Sequence, residues 1–141
     1  MNRISIENSS FRDPSGVLFK SNVDLFRQVN DDYKENYEYL ISSGLYQDLI
    51  SQGLMVSHEE VLGISAPQPD IAYKIIKPEN VKFISYPYEW CLLQFRGAAL
   101  TTLRIARIAL DHDMILKDAS AYNIQFHRGR WMLIDTPSFE K

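Results

Sequence analysis

The chain has 141 residues, of which 45% are hydrophobic and 23% are charged, and its formal net charge is −3. This length suffices for one domain with a buried core, and the composition excludes a disordered or fibrous protein. The charge argues against a nucleic-acid module, which needs clustered Lys and Arg, and no apolar run is long enough to span a bilayer, so we expect a cytoplasmic protein without membrane contact.

The first half of the chain predicts a small antiparallel sheet with one or two helices. The turn sequence DPSG at residues 13–16 lies between apolar runs and predicts a hairpin, which VDLFRQV continues as a further strand. Asp residues at the start of segment 31–43 and Gly44 after it predict a helix, and LYQDLISQ predicts a second helix that ends at Gly53. The segments LMVSHEEVLGI, AYKIIKP and VKFISY predict the remaining strands.

The second half predicts a hinge, a long helix and another hairpin. Pro87 in the aromatic segment YPYEW lacks an N–H and disfavours helix at the residue before it, which predicts the hinge. A helical pattern runs from about Trp90 to His112, and a loop through Asp118 then leads into the strands YNIQF and WMLID around the turn HRGR. Four apolar residues share one face of this helix: Leu100, Leu103, Ala106 and Leu110.

This order of elements resembles that of protein kinases and aminoglycoside phosphotransferases. Residues 1–86 would correspond to the small lobe, and residues 87–141 to the hinge, the long helix and the catalytic-loop hairpin. The resemblance implies an α+β, kinase-like partial fold that lacks the large helical lobe. It also implies that Asp118 is the catalytic base, and that Asn123 and Asp135 hold Mg²⁺ on the phosphates of ATP.

The same resemblance suggests residues that bind the nucleotide. Arg27 lies in the strand that carries the phosphate-binding lysine of the family, and Glu35 or Glu38 on the next helix could pair with it. Tyr86 and Tyr88 in the hinge could supply apolar walls for the adenine ring. Simpler interpretations stay open for all of them: a surface arginine, solvated helix carboxylates and a rigid aromatic connector.

Several positions depart from the kinase pattern. Residues 116–117 read LK where the family has His-Arg or His-Gly, and residues 136–137 read TP where it has Phe-Gly. Gly16 is the one glycine left in the segment that corresponds to the phosphate loop, and an arginine is not equivalent to the missing lysine. The two aspartates and the asparagine could also be ordinary turn residues that bond to their own backbone.

Four segments resemble another family more specifically. FRDPSG, FISYPYEW, LKDASAYNIQF and LIDTPSFE are similar to the N-terminal region of bacterial class I S-adenosylmethionine-dependent methyltransferases, in which a methyltransferase domain follows. The resemblance implies that this domain is a partner in the same chain and that it alone binds S-adenosylmethionine, since no strand here leads into G-x-G. Truncation before such a domain would also predict self-association through the surface it exposes.

Two interpretations therefore stand beside each other. The chain is either a kinase-like fragment that binds nucleotide and magnesium, in a degenerate form, or a non-catalytic accessory module that packs on a following methyltransferase domain. Whether the chain is an enzyme stays open: the resemblance implies that the parent protein is a methyltransferase and that this segment is inactive alone.

The cysteine and the histidines suggest no further chemistry. Cys91 lies in the apolar sequence WCLLQF, which predicts a buried, reduced thiol. The spacing of the three histidines fits no zinc signature, so we expect His112 at the negative end of the long helix and His127 in a turn.

Overall fold

The computed structural model describes residues 4–6 and 13–141. Over these residues it contains a five-stranded antiparallel sheet, two pairs of short strands and three α-helices, so the predicted α+β class is confirmed. It divides into two compact units, the described residues up to Tyr37 with Ser57–Asn80, and Glu38–Val56 with Val81–Lys141. We call these the first unit and the second unit.

The first unit is built on the five-stranded sheet, in which every neighbouring pair is antiparallel and the order is β1-β2-β3-β5-β4. Its strands are β1 (Ile4–Ile6), β2 (Gly16–Ser21), β3 (Asp24–Asn30), β4 (His58–Glu60) and β5 (Ala72–Pro78). The strands predicted at VDLFRQV and AYKIIKP are confirmed. The strand predicted before residues 13–16 would fall on residues outside those described.

A tight turn sets the pairing of β2 with β3. Ser21 and Asp24 are the last partners in the register, and Asn22 between them has a φ of 59°. Asn tolerates this left-handed conformation better than most residues with a side chain, which suits it to a two-residue hairpin turn.

The sheet of the first unit is covered on both faces. Phe19 and Phe26 stack with ring centroids 5.7 Å apart on one face, together with Ile75. The opposite face packs Val29 and Ile76 against two tyrosines, Tyr33 in the turn after β3 and Tyr37 in the helix that follows. Alternation along β3 and β5 thus sends neighbouring residues into two separate apolar clusters.

The three helices and the last hairpin follow the predicted order, whereas two further short strands that pair with each other were not predicted. The helices and strands of the second unit are α1 (Lys34–Ser42), which begins in the first unit, α2 (Leu45–Ser51), α3 (Leu92–Asp111), β6 (Ile115–Leu116), β7 (Ile124–His127), β8 (Arg130–Leu133) and β9 (Phe139–Glu140). Gly44 (φ 85°) and Gly53 (φ 64°) follow α1 and α2, which confirms the two glycine stops. The core of the unit includes Leu40, Leu45, Leu49, Ile105, Ala109, Met114, Ile124, Leu133 and Phe139.

The prediction of a strand at VKFISY is wrong, because residues 81–86 are not part of any strand. The alternating pattern is present, but the backbone of Ser85 bonds to a side chain instead of a neighbouring strand. Its N–H donates to Oε1 of Gln125 and its carbonyl accepts from Nε2 of the same residue, both at 2.9 Å. A buried glutamine therefore replaces the strand ladder at this position.

The long helix was predicted correctly, but its leucines do not face the core. Leu100, Leu103 and Leu110 are all exposed, and the buried residues of α3 lie on the opposite side of the helix: Ala98, Ile105 and Ala109. Cys91 was also expected to be buried, and that expectation is wrong. It is the residue before the first turn of α3, where the chain is still extended and open to solvent. Within residues 4–6 and 13–141, no helix combines the length and apolarity needed to cross a bilayer.

Candidate functional site

The hairpin predicted around HRGR is confirmed and carries the candidate site. β7 and β8 pair antiparallel from Ile124 opposite Leu133 to His127 opposite Arg130. The two residues between the strands, Arg128 and Gly129, have φ values of 51° and 79°. Positive φ at both positions is what a two-residue type I′ turn requires.

The two predicted metal ligands flank this hairpin at its open end. The N–H of Ile134 donates to the carbonyl of Asn123 at 2.9 Å, which extends the ladder one step beyond β7 and β8. Asn123 precedes β7 and Asp135 follows β8, so both residues lie at the same end. We call this end, with the loop that holds Asp118, the hairpin base.

The loop with Asp118 is fastened to the hairpin base through Ser138. The N–H groups of Lys117 and Asp118 both donate to the carbonyl of Ser138, at 2.9 and 3.3 Å. The hydroxyl of Ser138 donates to Oδ2 of Asp135 at 2.9 Å. Sequence reasoning missed this buried serine, although its place three residues after an aspartate is a known turn pattern.

The side chains of the hairpin base differ in how they are bonded. Oδ1 of Asp118, an exposed residue, accepts from the N–H of Ser120 at 3.2 Å, which is the bonding of an ordinary turn aspartate. The amide nitrogen of Asn123 is buried and has no hydrogen-bond partner among the described residues. The asparagine is therefore the residue that local turn structure explains least.

The chemistry of this group suits a hard cation in part. Carboxylate and amide oxygens are the ligands that Mg²⁺ uses, with phosphate and water oxygens completing the shell. Among residues 4–6 and 13–141, no three His, Cys, Asp or Glu side chains form a metal-binding group. A cation at the hairpin base would thus depend on the amide oxygen of Asn123 as well as on Asp135.

Arg27 is paired within the first unit. Its guanidinium donates to Oδ2 of Asp13, and its side chain is 10% exposed. Oδ1 of the same aspartate accepts from the N–H of Ser15 at 2.9 Å, so one carboxylate holds both the arginine and the turn before β2. The simpler interpretation of Arg27 as a surface arginine is therefore wrong. Glu38, which was considered as its pairing partner, is an exposed residue of α1.

Gly16 has a packing role that the sequence did not show. It is buried at the start of β2, and a Cβ atom added there would clash with the carbonyl oxygen of Gln28 in β3. The close approach of two strands explains this glycine without any phosphate contact.

The tyrosines of the hinge stack on each other. The rings of Tyr86 and Tyr88 are 5.5 Å apart and nearly parallel, at 4°, and the ring of Tyr122 lies 6.5 Å from that of Tyr86. This spacing leaves no room for an adenine ring between Tyr86 and Tyr88. The outer faces of these exposed rings are what a flat ligand could contact.

The segment after these tyrosines is tied to the hairpin. The indole N–H of Trp90 donates to Oγ of Ser85 at 2.9 Å, and its ring meets that of Trp131 in β8 with centroids 4.8 Å apart. The predicted rigid aromatic connector fits these contacts.

A polar network in the first unit escaped sequence reasoning. The hydroxyl of Tyr37 lies 3.0 Å from Nε2 of His58 and donates to Oε1 of Glu60 at 3.0 Å, and Nζ of Lys74 lies 2.7 Å from each oxygen of Glu60. Burial lowers the pKa of His58 to about 4, against a smaller opposite effect of Glu60, so the imidazole is neutral near pH 7. We call these four residues the Tyr37 network.

The chain is similar to nodulation protein NoeA of Rhizobium meliloti (strain 1021). The two sequences are 33% identical over 128 residues, which cover 89% of this chain and 26% of NoeA. The chain therefore spans about a quarter of the length of this curated relative. No family model matches the chain.

Proposed function

We propose that the chain is a degenerate kinase-like domain and that its hairpin base binds ATP with Mg²⁺. One observation carries this proposal: hydrogen bonds of the chain bring Asp118, Asn123 and Asp135 to one end of a hairpin. Their order on a loop, before a strand and after the next strand is the order used by protein kinases for base and metal ligands.

Each of the three residues has a distinct role in this proposal. Asn123 would supply its amide oxygen and Asp135 a carboxylate oxygen to the cation, while Asp118 would orient the hydroxyl of an acceptor. The cation, when bound, would offset the negative charge of the nucleotide phosphates. The buried amide nitrogen of Asn123, which has no partner among the described residues, is a donor and would bond to a phosphate oxygen of the nucleotide, not to the cation.

Two residues of the first unit, at the positions where kinases hold the phosphates, favour a degenerate nucleotide site. Arg27 is held by Asp13, and Gly16 is required where β2 and β3 pack closely. Neither arrangement provides the lysine and glycine-rich loop that hold phosphates in complete kinases. We therefore propose binding without efficient phosphoryl transfer.

Calorimetric titration with ATP, with and without Mg²⁺, tests this function. We expect magnesium-dependent binding that Asp135→Ala abolishes and that Ser138→Ala retains. The second variant is a matched control, because it removes the same Ser138–Asp135 hydrogen bond and keeps the carboxylate. Equal binding by Asp135→Ala and the unchanged chain would contradict the assignment, as would the absence of any magnesium-dependent heat.

We also propose a second candidate function, as an accessory module that packs on a following S-adenosylmethionine-dependent methyltransferase domain. The exposed leucines of α3 support it, because exposed apolar surface of this kind marks contacts with other polypeptide. The match covers only 26% of NoeA, so a relative with this segment contains much more chain that could cover such a surface.

Cysteine labelling tests the accessory function. Leu103→Cys, in a Cys91→Ser background, should react with a maleimide in the isolated chain, and the aligned position of full-length NoeA should be protected. Leu62→Cys is the matched control, since Leu62 is an exposed leucine of the first unit. Equal labelling in the short and long proteins would argue against an accessory role.

A further inference from the structure

The exposed side of α3 carries a series of leucine side chains. The helix has 20 residues, and five of its leucines are more than half exposed: Leu92 (84%), Leu93 (73%), Leu100 (55%), Leu103 (67%) and Leu110 (61%). We call this surface the leucine face. Leu92, Leu103 and Leu110 fall close together around the helix axis, since their separations of 11 and 7 residues are near whole numbers of turns.

Two arginines lie on the same side of the helix. Arg96 and Arg107 are exposed, and their places in the sequence put them between the positions of Leu92 and Leu100 around the axis. They are separated by three turns, or about 16 Å. Arg104 differs, because its guanidinium bonds to Oε1 of Gln52 at 2.6 Å.

These arginines make a second copy of the chain an unfavourable occupant. In an antiparallel pair of α3 helices that places Leu92 beside Leu110 of the other copy, Arg96 comes within one residue of the other Arg107. In a parallel pair each arginine meets its own equivalent. Both arrangements place like charges together at an apolar interface, which is destabilising.

We propose that the leucine face binds an amphipathic helix that carries acidic side chains within its apolar stripe. Leucine or similar residues of that helix would pack on Leu92, Leu103 and Leu110, and carboxylates three turns apart would pair with Arg96 and Arg107. The proposal rests on the accessory function above and adds the chemistry of the segment that covers α3.

Titration of the chain with synthetic helical peptides tests this partner. The probe is a peptide of about 20 residues with a leucine stripe and two glutamates three turns apart. The matched peptide has lysines in place of the glutamates. We expect the glutamate peptide to bind at least about tenfold more tightly.

Charge reversal in the protein provides the sharper control. Arg96→Glu with Arg107→Glu should reverse the preference, so that the lysine peptide binds more tightly than the glutamate peptide. Lys82→Glu, at an exposed position outside α3, should leave the preference unchanged. Circular dichroism of each variant checks that the fold is retained.

Several outcomes would overturn the proposal. Equal affinity for both peptides, or no binding of either, would remove the acidic helix as the occupant. Self-association that Leu103→Asp abolishes would assign the leucine face to a second copy, and binding to vesicles of anionic lipid that the double reversal abolishes would assign it to a membrane surface. Protection of Leu103→Cys in the longer protein, together with equal peptide affinities, would leave the accessory function standing without this partner.

Discussion

The Tyr37 network of the first unit and the hairpin base of the second unit use polar residues in opposite ways. In the network, one hydroxyl meets a histidine and a carboxylate, and the carboxylate meets a lysine. At the hairpin base, Asp118 bonds to its own turn and the amide nitrogen of Asn123 has no partner among the described residues. A network whose polar atoms are bonded to one another stabilises the fold, whereas a buried N–H donor without such a bond can still donate to an acceptor on a ligand.

The largest expected effect is the pH dependence that His58 causes. Its pKa is about 4 in the folded chain and about 6.5 when unfolded, so the unfolded state binds the proton first as the pH falls. The free energy of unfolding should therefore fall by about 2 to 3 kcal/mol between pH 6.5 and pH 4.

Urea unfolding at a series of pH values measures this dependence. His58→Gln is the control, because it removes the titrating group and should flatten the decrease over this range. An equal decrease in the variant would assign the pH dependence to other residues.

Loss of the tyrosine hydroxyl should have the next largest effect. Tyr37→Phe leaves His58 and Glu60 without their shared partner, and we expect the free energy of unfolding to fall by about 2 kcal/mol. Tyr88→Phe, at an exposed ring, is the matched control and should change it little. A similar loss in both variants would mean that the network contributes nothing specific.

Within the hairpin base, Ser138 and Asp135 should behave as a coupled pair. Ser138→Ala and Asp135→Ala each remove the same hydrogen bond, at a cost of about 1 kcal/mol each. The double variant should cost less than the sum, by about 0.5 kcal/mol or more, in a double-mutant cycle followed by urea unfolding. Additive losses would show that this bond does not hold the hairpin base together.

The smallest effect is expected at Asn123. Because the amide nitrogen has no partner among the described residues, Asn123→Ala should change the free energy of unfolding by less than about 0.5 kcal/mol. The same variant should weaken magnesium-dependent ATP binding if the first proposed function is right. A loss of stability well above this value would show that Asn123 stabilises the fold, as the residues of the Tyr37 network do.

Local features of the fold were predictable because neighbouring residues determine them. Gly44 and Gly53 end their helices, and Arg128 with Gly129 forms a turn that the sequence HRGR already suggested. The chemistry of each stop or turn lies within a few residues, so no knowledge of the distant chain was needed.

The features that were missed depend on residues far apart in the sequence. The face of α3 could not be chosen correctly, since apolar residues occur on more than one side and the partner elements decide which side is buried. VKFISY has the alternation of a strand, but Gln125, forty residues beyond Ser85, bonds to its backbone. The pairing of Arg27 with Asp13 likewise joins a strand to a turn segment fourteen residues earlier in the chain.

The contact between Trp90 and Trp131 has a practical consequence. The sequence contains two tryptophans, and both belong to the second unit, where their rings pack together. Intrinsic tryptophan emission therefore reports on that unit alone, while tyrosine absorbance includes the first unit. Following both signals through one unfolding transition would reveal whether the two units melt as one cooperative body or in separate steps.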